Sequence, residues 1–86
     1  MSIQTSGVHH VTLTVTDTDR AREFYTTFLG FKHVMDLGPK VILGNDSVVL
    51  ALNLPPDPSR AIANDRFSEH RCGLDHLSFS VEVVRI

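Results

Sequence analysis

Two stretches of the sequence, 66 residues apart, repeat one pattern of residue types. Residues 10–16 (HVTLTVT) and 76–82 (HLSFSVE) each begin with histidine and then alternate apolar and hydroxyl residues up to the last position. Alternation with a period of two predicts a strand in each stretch. A fixed offset between similar strands indicates a duplicated unit, of which the first copy is complete and the second has only begun. We therefore expect a chain that is truncated, or that completes its fold with another copy of itself.

The first predicted strand, over residues 8–15, has one polar and one apolar face. Successive side chains of a strand point to opposite faces, so His10, Thr12 and Thr14 share the polar face. This face combines hydroxyl groups with β-branched side chains, as the wall of a cavity would. The other face is predicted to pack on the core and carries His9, Val11, Leu13 and Val15.

The next segment has apolar residues at helical spacing and predicts an amphipathic helix over residues 18–29. Residues 16–19 (TDTD) supply several N-cap candidates at its start, and Thr16 with Asp19 is spaced like a capping box. Gly30 stands where a C-terminal stop is expected. We interpret the apolar stripe as core packing; it consists of Ala21, Phe24, Tyr25, Phe28 and Leu29.

Three strands are predicted after the helix, over residues 31–37, 40–43 and 47–54. The first ends at Gly38-Pro39, and the Gly44-Asn45-Asp46 stretch between two apolar runs is a hairpin signal. Strand, helix and three strands together make a βαβββ module of the α+β class over residues 1–54.

The remainder of the chain is predicted to be a linker followed by one strand. Residues 55–73 contain three prolines and no clear period, which indicates an inter-module linker with one helical turn near Ala61. Residues 74–81 alternate again, and we interpret residues 74–86 as the first strand of a truncated second module. His76 and Ser78 lie on its polar face.

Composition limits the size of the core and the class of partner. A chain of 86 residues buries only about 60–65% of its unfolded surface, so its stability alone would be marginal. The net charge is -2 without a basic stripe, which argues against a nucleic-acid partner.

The apolar runs are far shorter than the ~18 residues of a membrane span, and no leader pattern starts the chain. Cys72 has no second cysteine to pair with, which fits a reducing cytoplasm.

At this point the sequence resembles the vicinal-oxygen-chelate superfamily, whose hallmark is a βαβββ unit in tandem. The superfamily includes glyoxalase I, extradiol ring-cleaving dioxygenases, fosfomycin-resistance transferases and bleomycin-binding proteins. The resemblance covers residues 7–82. It rests on residues 7–17 (GVHHVTLTVTD), Phe24-Tyr25 with Leu29-Gly30-Phe31, residues 47–52 (SVVLAL) and residues 73–82 (GLDHLSFSVE).

The resemblance implies a divalent metal ion, a cofactor for which His10 and His76 match the two first-strand ligand positions. Ala51 stands where the last strand of a module commonly carries a glutamate ligand. Two histidines and one later carboxylate would form the facial triad of Fe(II) dioxygenases, so Fe(II) is favoured, with Mn, Ni or Zn as alternatives. A substrate would chelate the metal through two adjacent oxygens, and the metal would stabilise an oxyanion. Substrate-pocket candidates are Thr12, Ala51, Asn53 and Ser78.

These sequence features are compatible with three functions. The first is a metal-dependent enzyme, dioxygenase-like or glyoxalase-like, that acts on a small molecule. The second is a metal-free protein of the bleomycin-resistance type that sequesters a ligand in the same cleft. The third is a truncated, inactive module that folds as a homodimer or module-swapped assembly. No catalytic acid, base or nucleophile is predicted, and His33 and His70 are interpreted as surface residues.

Overall fold

The computed structural model describes residues 2–82, and it contains the predicted βαβββ module of the α+β class. Each strand and the helix begin and end within two residues of the predicted bounds. A short 3-10 helix, Pro58–Arg60, lies in the predicted linker next to Ala61. The module comprises β1 (His10–Thr14), α1 (Thr18–Phe28), β2 (Lys32–Leu37), β3 (Lys40–Gly44) and β4 (Val49–Asn53).

The four strands form one mixed sheet in the order β1-β4-β3-β2. β1 and β4 are parallel, whereas β4, β3 and β2 are joined as antiparallel neighbours. Gly38 has a φ of 61° in the two-residue loop between β2 and β3, a conformation that glycine adopts without steric cost. In the next hairpin the Asn45 side chain accepts hydrogen bonds from the backbone N–H groups of Ser47 and Val48. The predicted turns are therefore confirmed.

Both ends of α1 are fixed by local hydrogen bonds. The N-cap is Asp17, one of the predicted candidates, whose carboxylate accepts the Arg20 backbone N–H at 3.0 Å. The predicted capping box of Thr16 and Asp19 is wrong, because Thr16 lies one residue before the cap. At the other end Gly30 has a φ of 71°. This turn lets the Phe31 N–H donate to the Tyr25 carbonyl at 3.1 Å, and it brings the Phe31 ring into the core.

The core lies between α1 and one face of the sheet. Leu43, Leu50 and Leu52 are fully buried there. Full burial of a leucine side chain is worth about 1.5–3 kcal/mol relative to exposure, so these three provide much of the stability of the module. Ala21 and Tyr25 are the helix residues that pack against this cluster.

Two aromatic residues of the helix do not have the predicted core position. Phe24 is 49% exposed and Phe28 is 73% exposed, and their rings contact each other at a centroid distance of 5.7 Å. Phe24 lies about 100° around the helix from Tyr25, beside the row that faces the sheet. Phe28 is the last residue of α1.

The strand predicted over residues 74–81 is absent from the described residues. This segment is irregular and exposed, and it forms no ladder with β1–β4. Alternation predicts which side chains would share a face, but a strand also needs a hydrogen-bonding neighbour, which this segment lacks within residues 2–82. The predicted segment's end, residues 83–86, lies outside the described residues, as does Met1. Among residues 2–82, neither helix has the length and apolar composition of a membrane span.

Replacement of Leu43 by alanine is expected to lower the free energy of unfolding by about 2–5 kcal/mol, because it leaves a cavity between helix and sheet. Leu74→Ala is the matched control, since Leu74 is 74% exposed, and it should change the same quantity by no more than about 0.5 kcal/mol. Urea denaturation followed by circular dichroism measures both. Equal effects of the two variants would contradict this description of the core.

Candidate functional site

One face of the sheet is left uncovered by the helix. Residues directly opposite each other in paired strands share a face, and Thr12, Ala51, Ile42 and Met35 form one such row across the sheet. Their neighbours along each strand, such as Leu50, point to the other face, on which α1 packs. The row therefore lies on the helix-free face.

Four residues predicted for the site lie together on this helix-free face. His10 pairs with Val49 and Thr14 pairs with Asn53, in the same register that pairs Thr12 with Ala51. The face thus presents an imidazole at the start of β1 and hydroxyl and amide groups farther along β1 and β4. Its predicted site residues are His10, Thr12, Ala51 and Asn53.

Ala51 is 3% exposed even though it lies on the uncovered face. Its methyl group is flanked by the side chains of Thr12 and Ile42, which stand directly opposite on the two neighbouring strands. The side chain of an alanine has no electron pair to donate to a metal. The middle of the helix-free face is therefore an apolar surface between polar residues.

His9 and His10 contact each other, although strict alternation predicts that they lie on opposite faces. Their Nδ1 atoms are 2.8 Å apart, and the rings meet edge to face at a centroid distance of 5.0 Å. The prediction is wrong because His9 precedes β1, where the backbone no longer alternates as a strand. A hydrogen bond at this distance needs one proton between the two Nδ1 atoms. When His10 donates it, the Nε2 atom of His10 keeps its lone pair for a ligand.

The structure does not place His76 in a cluster with His10. The Nδ1 atom of His76 is 2.7 Å from the Asp75 carboxylate, and the His76 side chain is 79% exposed. No hydrogen bond joins His10 to His76 among the described residues. Nor do three or more His, Cys, Asp and Glu side chains come together as a possible metal group within residues 2–82.

Ser78 lies beside the amino-terminal ends of β1 and β4 rather than along the helix-free face. It lines a cavity of about 510 Å³ together with Val8, Val11 and Val48. The next residue, Phe79, packs edge to face on the buried ring of Phe31, with centroids 5.7 Å apart. This contact anchors the segment that carries His76 and Ser78 to the module.

A cavity that the sequence analysis did not predict lies at the opposite end of β1. It has a volume of about 580 Å³, and residues 60–71 of the predicted linker fold over it. Arg60, Arg66 and Arg71 all line it. The sequence contains three arginines within twelve residues, which is the feature that could have indicated this cavity. Their position around one cavity depends on how the irregular segment folds.

Comparison with known proteins identifies the family. The sequence model of the Glyoxalase/Bleomycin resistance protein/Dioxygenase superfamily matches residues 7–85. The chain belongs to this superfamily. The match spans the βαβββ module as well as the segment that repeats the pattern of β1, so the resemblance inferred from the motifs is confirmed.

A solved structure of the same fold agrees with this superfamily assignment. It is described as "Crystal structure of SMU.1112c", is 35% identical in sequence and superposes with a TM-score of 0.67. The alignment covers 92% of this chain and 67% of that one. None of the curated proteins compared with the sequence gives a significant match.

Phe79→Ala is expected to release the 74–82 segment from the module, because it removes the ring that packs on Phe31. The free energy of unfolding should fall by about 1 kcal/mol, and limited proteolysis within the segment should accelerate. Leu74→Ala is the control, since Leu74 is 74% exposed. If Phe79→Ala and Leu74→Ala behaved alike in both assays, the segment would not be anchored through Phe79.

Proposed function

We propose that the helix-free face of the sheet is one wall of a small-molecule cleft, and that His10 supplies a ligand to a divalent metal bound there. One observation carries this proposal. In a chain of this superfamily, His10 lies beside hydroxyl and amide side chains on the face of the sheet opposite α1. Fe(II) is the favoured metal, with Mn, Ni or Zn as alternatives.

The described residues fit part of such a metal site and not the whole of it. His10 offers one imidazole, and His76 is exposed and offers a second if its segment is brought to the cleft. Ala51 contributes no donor, and residues 2–82 contain no group of three donors. Two imidazoles leave a divalent ion under-coordinated. The remaining ligand, a carboxylate in this proposal, would come from a second module or a second copy of the chain.

Assembly with such a partner is part of the proposal. Val34, Met35 and Leu37 of β2 are each about half exposed, which leaves apolar surface beside the cleft. A homodimer or a module-swapped assembly that covers this surface would also close the cleft from the second side. Dioxygenase-like or glyoxalase-like activity on a substrate with two adjacent oxygens would then belong to the assembly and not to the single chain.

Within this cleft the chain's own residues would bind and orient the substrate. The Thr12 hydroxyl and the Asn53 amide can each donate and accept a hydrogen bond. Ala51 and Ile42 provide an apolar floor between them, against which a substrate carbon skeleton can pack. Small-molecule sites commonly combine such apolar lining with a few placed polar groups.

A second candidate function is metal-free ligand binding of the bleomycin-resistance type. It is favoured by the buried alanine at position 51 and by the lack of a three-donor group within residues 2–82. The same wall would then hold its ligand by shape and hydrogen bonds alone. Ligand affinity that stays unchanged in the presence of a chelator would support this candidate over the metal enzyme.

Metal content of the purified 86-residue chain tests the proposal directly. We expect a stoichiometric divalent metal per chain or per dimer by mass spectrometry of the elements, and a fall to background in the His10→Ala, His76→Ala double variant. His33→Ala is the matched control. His33 stands opposite Leu43 in the ladder, on the helix side of the sheet, and is paired with Asp36 at 2.8 Å.

Two results would count against the metal proposal. One is the absence of stoichiometric metal, after reconstitution with Fe(II), Mn, Ni and Zn in turn, from an assembled form of the chain that supplies the remaining ligand. The other is an equal loss of metal from the His33→Ala control, which would mean that any surface histidine accounts for the bound ion.

A further inference from the structure

The cavity beneath residues 60–71 concentrates positive charge in a chain whose net charge is -2. Arg60, Arg66 and Arg71 line it, and Asp65 is the acidic residue among the lining side chains. Arg71 lies 3.5 Å from the Asp65 carboxylate, but both side chains are more than half exposed, so this pair contributes little. In the described part of the chain, Arg60 and Arg66 form no ion pair. The cavity thus holds more positive than negative charge.

The walls of the cavity add hydrogen-bonding groups and apolar surface. Thr14 and Thr16 contribute hydroxyl groups where β1 ends, next to the start of α1. Val15, Ile62 and Phe67 contribute the apolar part. The volume of about 580 Å³ falls within the range of small-molecule sites, about 300–1,000 Å³.

From this combination we infer that the cavity binds a small organic oxyanion, with its phosphate or carboxylate group on the arginines and its apolar body against Phe67 and Ile62. A guanidinium group binds either oxyanion through two parallel N–H···O bonds.

The cavity shares Thr14 with the helix-free face but lies at the far end of β1 from His10. Thr14 is four residues farther along β1, which at ~3.3 Å per residue puts the cavity about 13 Å from the His10 backbone. The inference uses no metal and does not depend on the proposed metal site. Experiments on anion binding and on metal binding can therefore give independent results.

Titration of the ¹⁵N-labelled 86-residue chain with phenyl phosphate tests the inference by NMR. We expect saturable shifts of the Thr14 and Thr16 amide signals and a single binding constant. Phenol, which lacks the anionic group, should cause no saturable shift, and inorganic phosphate should bind more weakly than phenyl phosphate. A parallel titration with benzoate distinguishes carboxylate from phosphate as the preferred anionic group. The compound of the two that binds with higher affinity identifies that group.

Variants of the lining residues connect the binding to the arginines. The Arg60→Gln, Arg66→Gln double variant should lose at least about tenfold in affinity, because charge-assisted hydrogen bonds to an oxyanion are removed. Asp65→Asn should bind more tightly than the parent. Arg22→Gln is the control, because Arg22 lies on α1, outside the cavity, and pairs with Asp19; it should bind phenyl phosphate as the parent does. Spectra without ligand confirm that each variant keeps the fold.

Three results would overturn the inference. They are the absence of saturation at millimolar phenyl phosphate, saturable shifts confined to signals away from the cavity, and an affinity that is the same in the double variant as in Arg22→Gln.

Discussion

The packing of one helix on one face of a four-stranded sheet is the constraint on which the rest of this structure depends. Leu43, Leu50 and Leu52 are fully buried against the side of α1 that carries Ala21 and Tyr25. Because side chains alternate along a strand, burial of these leucines fixes which residues point the other way. A slip of one residue in register would move His10 and Thr12 into the core. The same leucines that stabilise the module therefore also present its polar face.

The two ends of this sheet differ in chemistry, and this difference separates the two sites. Near the start of β1, His10 lies on the helix-free face with His9 in contact at 2.8 Å. Past the end of β1, Arg60, Arg66 and Arg71 of the irregular segment line one cavity together with Thr14 and Thr16. One end of β1 therefore carries two imidazoles, and the other end is lined by arginines. Both lie in a chain of the Glyoxalase/Bleomycin resistance protein/Dioxygenase superfamily.

The features predicted correctly from the sequence are those that local interactions determine. The alternation of residues 10–14, the glycine at the end of α1 and the Asn45 turn each act within a few residues, so their positions could be read directly. The prediction of a strand over residues 74–81 was wrong because a strand also needs a hydrogen-bonding neighbour that lies far away in the sequence. Likewise, Phe24 and Phe28 fit a core stripe, but only the structure shows how little of it the sheet covers. The arginine cavity depends on tertiary folding of a segment without periodicity.

The central claim is that the helix-free face is the ligand-facing wall, and paramagnetic NMR with Mn(II) tests it most directly. Methyl groups report the two faces separately: Thr12 and Ala51 lie on the helix-free side, and Leu43 and Leu52 lie on the helix side. We predict that substoichiometric Mn(II) broadens the Thr12 and Ala51 methyl signals well before those of the two leucines. Equal broadening of all four, or earlier broadening of the leucine signals, would contradict the account.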